Sequence, residues 1–232
     1  MIYVMSDIHG RQDRFEKMLK LINFSDDDHL YILGDVVDRN PDGIKILRKI
    51  MKMPNVSMLI GNHEDMMLNA LYRPLKSTNP YKAERERDHN FRLWYNNGGL
   101  DTHHSLKHQR IAVRKEIFEY LESLPINIDI TVNGKNYLLV HGAPYESYPF
   151  KSMDYGDPVE NAIWGRVQRY DTMPPNKKVI FGHTPTLRYQ DDQDLKIWTE
   201  EDDKIGIDCG CGWPAGRLGC LRLDDMEEFY VD

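Results

Sequence analysis

Five short motifs, each closing an apolar run, constrain this chain more than anything else in it. They are Asp7-Ile8-His9-Gly10, Gly34-Asp35-Val36-Val37-Asp38-Arg39, Gly61-Asn62-His63-Glu64, His141-Gly142 and Gly182-His183-Thr184. The runs before them read as β-strands, and loops at the carboxyl ends of strands in an α/β sheet converge in space. The motifs therefore bring Asp7, His9, Asp35, Asn62, His141 and His183 toward one place. The adjoining glycines permit tight turns and close backbone approach.

The spacing between the first three motifs predicts strand–helix–strand–helix–strand. Ile2–Met5, Leu30–Leu33 and Val56–Ile60 are the strands. Arg11–Ile22 carries Phe15, Met18, Leu19 and Ile22 at helical spacing. A second helix opens at Asn40-Pro41, with Asn as cap and Pro in the first turn, and a third follows from about His63. Such units give parallel strands with right-handed crossovers. Residues 71–124 break the rhythm and read as a helical cap inserted in one domain spanning 1–232. It has helical stretches around Phe91–Tyr95 and Ile111–Leu121, separated by Asn96-Asn97-Gly98-Gly99. From Ile126 onward the pattern is mostly strand, with an Asn133-Gly134 hairpin.

Composition removes several function classes. No apolar run approaches the roughly 20 residues of a membrane span. A formal net charge of −7 opposes non-specific binding to nucleic acid or anionic membrane. The exception is Leu71–Lys115, with ten basic and four acidic residues; it reads as a solvated helix face, or as a basic rim that attracts phosphate-rich substrates. The N-terminal Met1–Met5 run enters the first motif directly and reads as a strand, not a signal peptide. Three cysteines, Cys209, Cys211 and Cys220, fit reduced thiols in a cytoplasmic protein. Cys209-Gly210-Cys211 lacks further ligands at metal spacing and reads as packing.

Two Asp, one Asn and three His form a ligand set for two divalent cations. A mixture of imidazole and carboxylate suits Mn, Fe or Zn. Asp35 is the natural bridge, because a carboxylate offers two oxygens and negative charge between two cations. Two such metals can activate a water and stabilise both the attacking and the leaving oxygen of a phosphoester.

The ordered set resembles the calcineurin-like metallophosphoesterases. Asp38-Arg39 and His63-Glu64 are similar to the phosphoprotein-phosphatase branch, which includes bacterial and phage lambda-type serine/threonine phosphatases and symmetrical diadenosine tetraphosphatases. Trp94-x-x-Asn97-Gly98-Gly99 with Thr102, and Trp164-Gly165-Arg166, also resemble that branch. The resemblance implies an α/β fold, a β-sandwich of two mixed sheets flanked by helices. It implies that Asp7, His9 and Asp35 hold one metal and that Asp35, Asn62, His141 and His183 hold the other, manganese being the expected ion. It further implies His63 as general acid oriented by Asp38, Arg39 and Arg166 as phosphoryl clamps, and a metal-bridging water as nucleophile. Asn40-Pro41 departs from the family, where glycine is common.

The implied activity is phosphomonoester hydrolysis of the serine/threonine protein phosphatase type. The alternative is hydrolysis of a dinucleoside polyphosphate such as diadenosine tetraphosphate. The substrate is accordingly a phosphorylated protein or a phosphate-rich small molecule. Asp38-Arg39 and Arg166 suit a terminal phosphate better than a chain-internal diester. A non-catalytic scaffold would have lost ligands, His63 or Arg39, and none is lost. The remaining histidines, His29, His89, His103, His104 and His108, read as structural or surface residues, with His103 and His104 nearest the cleft. Tyr145 and Trp213 are placed as pocket-shaping or packing residues.

Overall fold

Alternation of side chains along the strands explains the architecture. In β1 (Ile2–Met5), Tyr3 and Met5 face one layer and Val4 faces the other. In β5 (Lys135–Val140), Tyr137 and Leu139 point one way and Leu138 and Val140 the opposite way. Strands buried on both faces need two covering layers, and the chain supplies them as a sandwich. The computed structural model describes residues 1–144, 157–190, 194–200 and 203–232.

The first sheet runs β10-β9-β1-β2-β3, where β2 is His29–Ile32, β3 Val56–Met58, β9 Leu218–Arg222 and β10 Glu227–Val231. Its β1, β2 and β3 are parallel, and β9 and β10 are antiparallel. The second runs β4-β5-β6-β8-β7, where β4 is Asn127–Val132, β6 Lys178–Phe181, β7 Trp198–Glu200 and β8 Lys204–Gly206. Here β5, β6 and β8 are parallel, with antiparallel edges. Val4, Leu33, Tyr137, Leu139, Ile180, Ile205 and Leu221 fill the space between the sheets. The expected two-sheet α/β fold is borne out.

Helices α1 (Gln12–Leu21), α2 (Gly43–Ile50) and α3 (Asn62–Leu71) cover the outer face of the first sheet. The hairpin turn has φ 50° at Asn133 and 75° at Gly134, both in the left-handed region that favours Asn-Gly.

Three details differ from expectation. Helix α2 begins at Gly43, later than Asn40-Pro41. Asn40 does not cap it; its amide donates to the carbonyls of His9 (2.9 Å) and Gly212 (3.3 Å), tying two site loops together. The insertion holds three helices, α4 (Pro80–Asn96), α5 (Leu100–Lys107) and α6 (Ile111–Glu122). Finally, α7 (Pro158–Trp164) interrupts the strand-rich half. Its signal was present: Asp157 caps the N–H groups of Val159 and Glu160, and Pro158 follows it. Tyr145 lies outside the described residues.

Candidate metal centre

Each ligand candidate sits just past a strand end. Asp7 follows β1, Asp35 follows β2, Asn62 opens α3 after β3, His141 follows β5 and His183 follows β6. The loops are turned tightly enough that Asp7, His9, Asp35 and His183 have φ between 46° and 61°. Such values are uncommon for non-glycine residues. Backbone bonds hold them: His9 N–H to Asp35 C=O (2.9 Å), Gly10 N–H to Val36 C=O (2.8 Å) and Gly182 N–H to His141 C=O (3.0 Å). Gly61 lies so close that a Cβ there would stand 2.2 Å from Asp35 Oδ1.

The result is two clusters that share Asp35. His9 Nδ1 pairs with the Val37 carbonyl at 3.0 Å, so this nitrogen carries the proton. Its Nε2 is then a lone pair, buried and without a hydrogen-bond partner. It lies 3.8 Å from Asp7 Oδ1 and 3.7 Å from Asp35 Oδ2. An orphaned, buried imidazole lone pair between two carboxylates is what a cation would satisfy. On the other side, His141 Nδ1 donates to the Leu33 carbonyl, again leaving Nε2 as a lone pair. That lone pair is 3.1 Å from Asn62 Oδ1 and 3.4 Å from Asp35 Oδ1. His183 Nδ1 is 2.8 Å from the same Asn62 oxygen. With both imidazoles neutral and their lone pairs turned inward, these atoms offer a cation one amide oxygen, one carboxylate oxygen and two ring nitrogens. These residues fit two divalent cations, and the donor set of imidazole, carboxylate and amide oxygen suits a transition metal.

The electrostatics agree. Burial opposes the Asp35 charge, but the imidazoles of His141 and His63 outweigh it and hold the carboxyl well below its ordinary range. Burial, then the neighbouring His63 and Arg39, drive His9 well below its ordinary value, which keeps it neutral as a ligand must be. Burial and His141 do the same to His183.

His63 borders the first cluster and, with His9 and Asp35, has ligand atoms close enough together to hold a metal. Its Nδ1 is 2.8 Å from Asp38 Oδ2, and both side chains are buried. Its Nε2 is 3.2 Å from Arg39 Nη2 and 3.8 Å from Asp35 Oδ2. Burial works against its charge, but the Asp35 and Asp38 carboxylates raise it above the ordinary histidine value. Arg39 also lies over the Trp213 ring, 4.8 Å from its centroid, with Trp213 54% exposed. Arg166 is exposed and lies beside the second cluster, donating to Thr184 Oγ1 (3.1 Å) and the His183 carbonyl (3.3 Å).

Two residues escaped the sequence reading. Glu64 is fully buried and accepts four backbone N–H groups: Val36 (2.9 Å) and Val37 (3.2 Å) on Oε1, Asp35 (2.9 Å) and Gly61 (3.1 Å) on Oε2. It joins two site loops. Asp208 is buried near Asp7, and burial together with the Asp7 charge raises its carboxyl well above the usual range. His103 packs against Phe91, Trp94 and Tyr95, while His89, His104 and His108 are exposed.

The sequence model of the calcineurin-like phosphoesterases matches residues 1–209. The chain belongs to this family. It is therefore a metal-dependent phosphoester hydrolase. Among its relatives is a symmetrical bis(5'-nucleosyl)-tetraphosphatase of Acidovorax sp. (strain JS42), 42% identical, spanning 100% of this chain and 96% of the relative. Another is serine/threonine-protein phosphatase 2 of Salmonella typhimurium, 29% identical, spanning 78% of each chain. Solved structures share the fold. The metallophosphoesterase of Sphaerobacter thermophilus aligns with a TM-score of 0.55 at 18% identity, over 100% of this chain and 88% of that one. A serine/threonine phosphatase of Saccharomyces cerevisiae aligns at 0.57 and 16%, over 99% and 78%.

Proposed function

We propose that this phosphoesterase hydrolyses phosphomonoesters with poor leaving groups, of the phosphoserine and phosphothreonine class. Asp7, His9 and Asp35 hold one metal; Asp35, Asn62, His141 and His183 hold the second, with manganese the proposed ion and a cytoplasmic setting for its unpaired thiols. When bound, the two cations supply a nucleophilic water and positive charge for the phosphoryl oxygens. Arg39, beside His63, and Arg166, beside His183, clamp those oxygens by charge-assisted hydrogen bonds.

The observation that carries the reading is the His63–Asp38 pair. Asp38 fixes the ring through Nδ1, and Nε2 lies at the edge of the first cluster, 3.8 Å from Asp35 Oδ2 and 3.2 Å from Arg39 Nη2. In this arrangement the imidazole delivers a proton to the departing oxygen, the work of a general acid. An alkoxide of serine or threonine leaves poorly without that proton. A nucleotide released from a phosphoanhydride needs that proton less; the branch that shares these motifs includes both kinds of enzyme, so the pair supports the first reading through leaving-group chemistry alone.

A second reading, hydrolysis of a dinucleoside polyphosphate, is favoured by a different feature. The exposed Trp213 indole beside Arg39 offers a face on which a nucleobase can stack. The basic composition of the insertion and the tetraphosphatase relatives support it too. Rates with added Mn on a phosphothreonine peptide, diadenosine tetraphosphate, p-nitrophenyl phosphate and bis-p-nitrophenyl phosphate decide between them. The first reading expects the highest kcat/KM on the peptide among the two natural substrates and weak activity on the diester. A preference for the tetraphosphate transfers the assignment to the second.

A further inference from the structure

The inserted helices reach back into the catalytic pair. Trp94 of α4 is fully buried and donates its indole N–H to Asp38, 2.9 Å from Oδ2 and 3.1 Å from Oδ1. From α5, Thr102 Oγ1 accepts the Asp38 backbone N–H at 2.9 Å. Between the two helices, the Gly98 carbonyl accepts the Arg39 N–H at 3.1 Å. The loop closes directly on the indole: a Cβ at Gly99 would stand 2.4 Å from Trp94 Nε1.

All three bonds fall on two consecutive residues whose backbone is unusual. Asp38 has φ 70° and Arg39 has φ 66°. Non-glycine residues persist in this region only where their surroundings over-determine them. Here part of that surrounding comes from the insertion. The metal-ligand candidates, in contrast, are held by the strand-end loops.

We propose that Trp94 is a positioning residue for the hydrolysis, acting through Asp38. Oδ2 of Asp38 receives both the indole N–H and His63 Nδ1. Turning the carboxylate breaks both bonds together. With Trp94 in place, the carboxylate is held in the one orientation that aims His63 Nε2 at the leaving oxygen. Without it, the carboxylate turns and the ring loses its aim, while the ligand clusters stay intact. This rests on the reading of His63 as general acid.

The test uses the full chain loaded with Mn, an alkyl phosphate as the poor leaving group and p-nitrophenyl phosphate as the good one. Trp94→Phe keeps an aromatic ring and removes the N–H. We expect kcat on the alkyl phosphate to fall about tenfold or more, as for loss of a charge-assisted bond, with KM within about twofold. On p-nitrophenyl phosphate the fall is expected to be under about threefold, because that leaving group departs without a proton. Both metals stay bound, and the change adds little on top of Asp38→Asn. Equal losses on the two substrates, an unchanged kcat on the alkyl phosphate, or full additivity with Asp38→Asn overturn the inference. His63→Asn, measured alongside, separates two failures. A leaving-group-dependent loss there but not in Trp94→Phe overturns the role of Trp94 alone; equal losses in His63→Asn overturn the acid reading beneath it. Should Trp94→Phe fail to fold, Thr102→Val carries the same test. It must show the same split between substrates, and Thr102→Ser must restore both rates to within about twofold by returning the acceptor. Wild-type rates or equal losses in Thr102→Val overturn the proposal.

Discussion

Glu64 Oε2 accepts the backbone N–H of Asp35 at 2.9 Å, so the residue that two metals would share is positioned by a carboxylate that touches neither. Three further N–H groups end on the same side chain. Burial and the Asp35 charge push the Glu64 carboxyl up to about 7, against the pull of those donors. Replacing one oxygen by an amide NH2 turns a donor toward donors. Glu64→Gln should destabilise the fold by about 2–4 kcal/mol, the scale of one or two orphaned buried donors. A thermal melt reads this as a fall of roughly 4–15 °C for a chain of this size. An unchanged melt would remove Glu64 from the loop-holding role.

Asp35 contributes one oxygen to each cluster, 3.4 Å from His141 through Oδ1 and 3.7 Å from His9 through Oδ2. Asp35→Asn removes the charge shared by both. Metal analysis of the purified variant should show both ions depleted, not one. Chelated wild-type protein should be inactive and recover with Mn. Retention of one full equivalent by the variant would argue against a bridge.

Arg166 is exposed, and its contacts with Thr184 and the His183 carbonyl hold it next to a candidate ligand. Arg166→Ala should lower kcat/KM by more than about tenfold, as expected for a charge-assisted bond to phosphate. Its melting curve should barely move, since exposed polar contacts contribute about 0–1 kcal/mol. Wild-type kcat/KM would mean that the residue serves the loop only.

Cys209, Cys211 and Cys220 are buried and unpaired. Burial pushes all three thiols up, Cys211 to about 12. The thiolate is the reactive form. A thiol reagent at pH 8 should therefore find almost none of the three in the native protein and all of them in denaturant. Rapid labelling of the native chain would contradict the packing of β9 and its approach loop.

What could be read before the structure follows from range. The ligand motifs were legible because each lies within a few residues of the strand that carries it. Most strand limits shifted by one or two residues at most. Helix α5 escaped because its buried face is Thr102, His103 and Leu106, which has no apolar stripe. Asn40 reads as a cap in the sequence because its actual partners, His9 and Gly212, are 31 and 172 residues away. The same holds for Glu64 with Val36, 28 residues apart, and Trp94 with Asp38, 56 apart. Nothing local marks such pairs, although Trp94, Thr102 and Glu64 all stood in the quoted motifs.

Six of the ten non-glycine residues with left-handed backbone among those described are Asp7, His9, Asp35, Asp38, Arg39 and His183. The remainder include Asn23, Asn133 and Asn176; Asn, Asp and His enter this region more readily than other non-glycine residues, which leaves Arg39 the most strained of the six. Selection for thermal stability alone would therefore pull against selection for turnover at the same codons. In a library screened only for heat resistance, glycine and asparagine should accumulate first at Arg39, and the enzymes recovered would be hardy and poorly active.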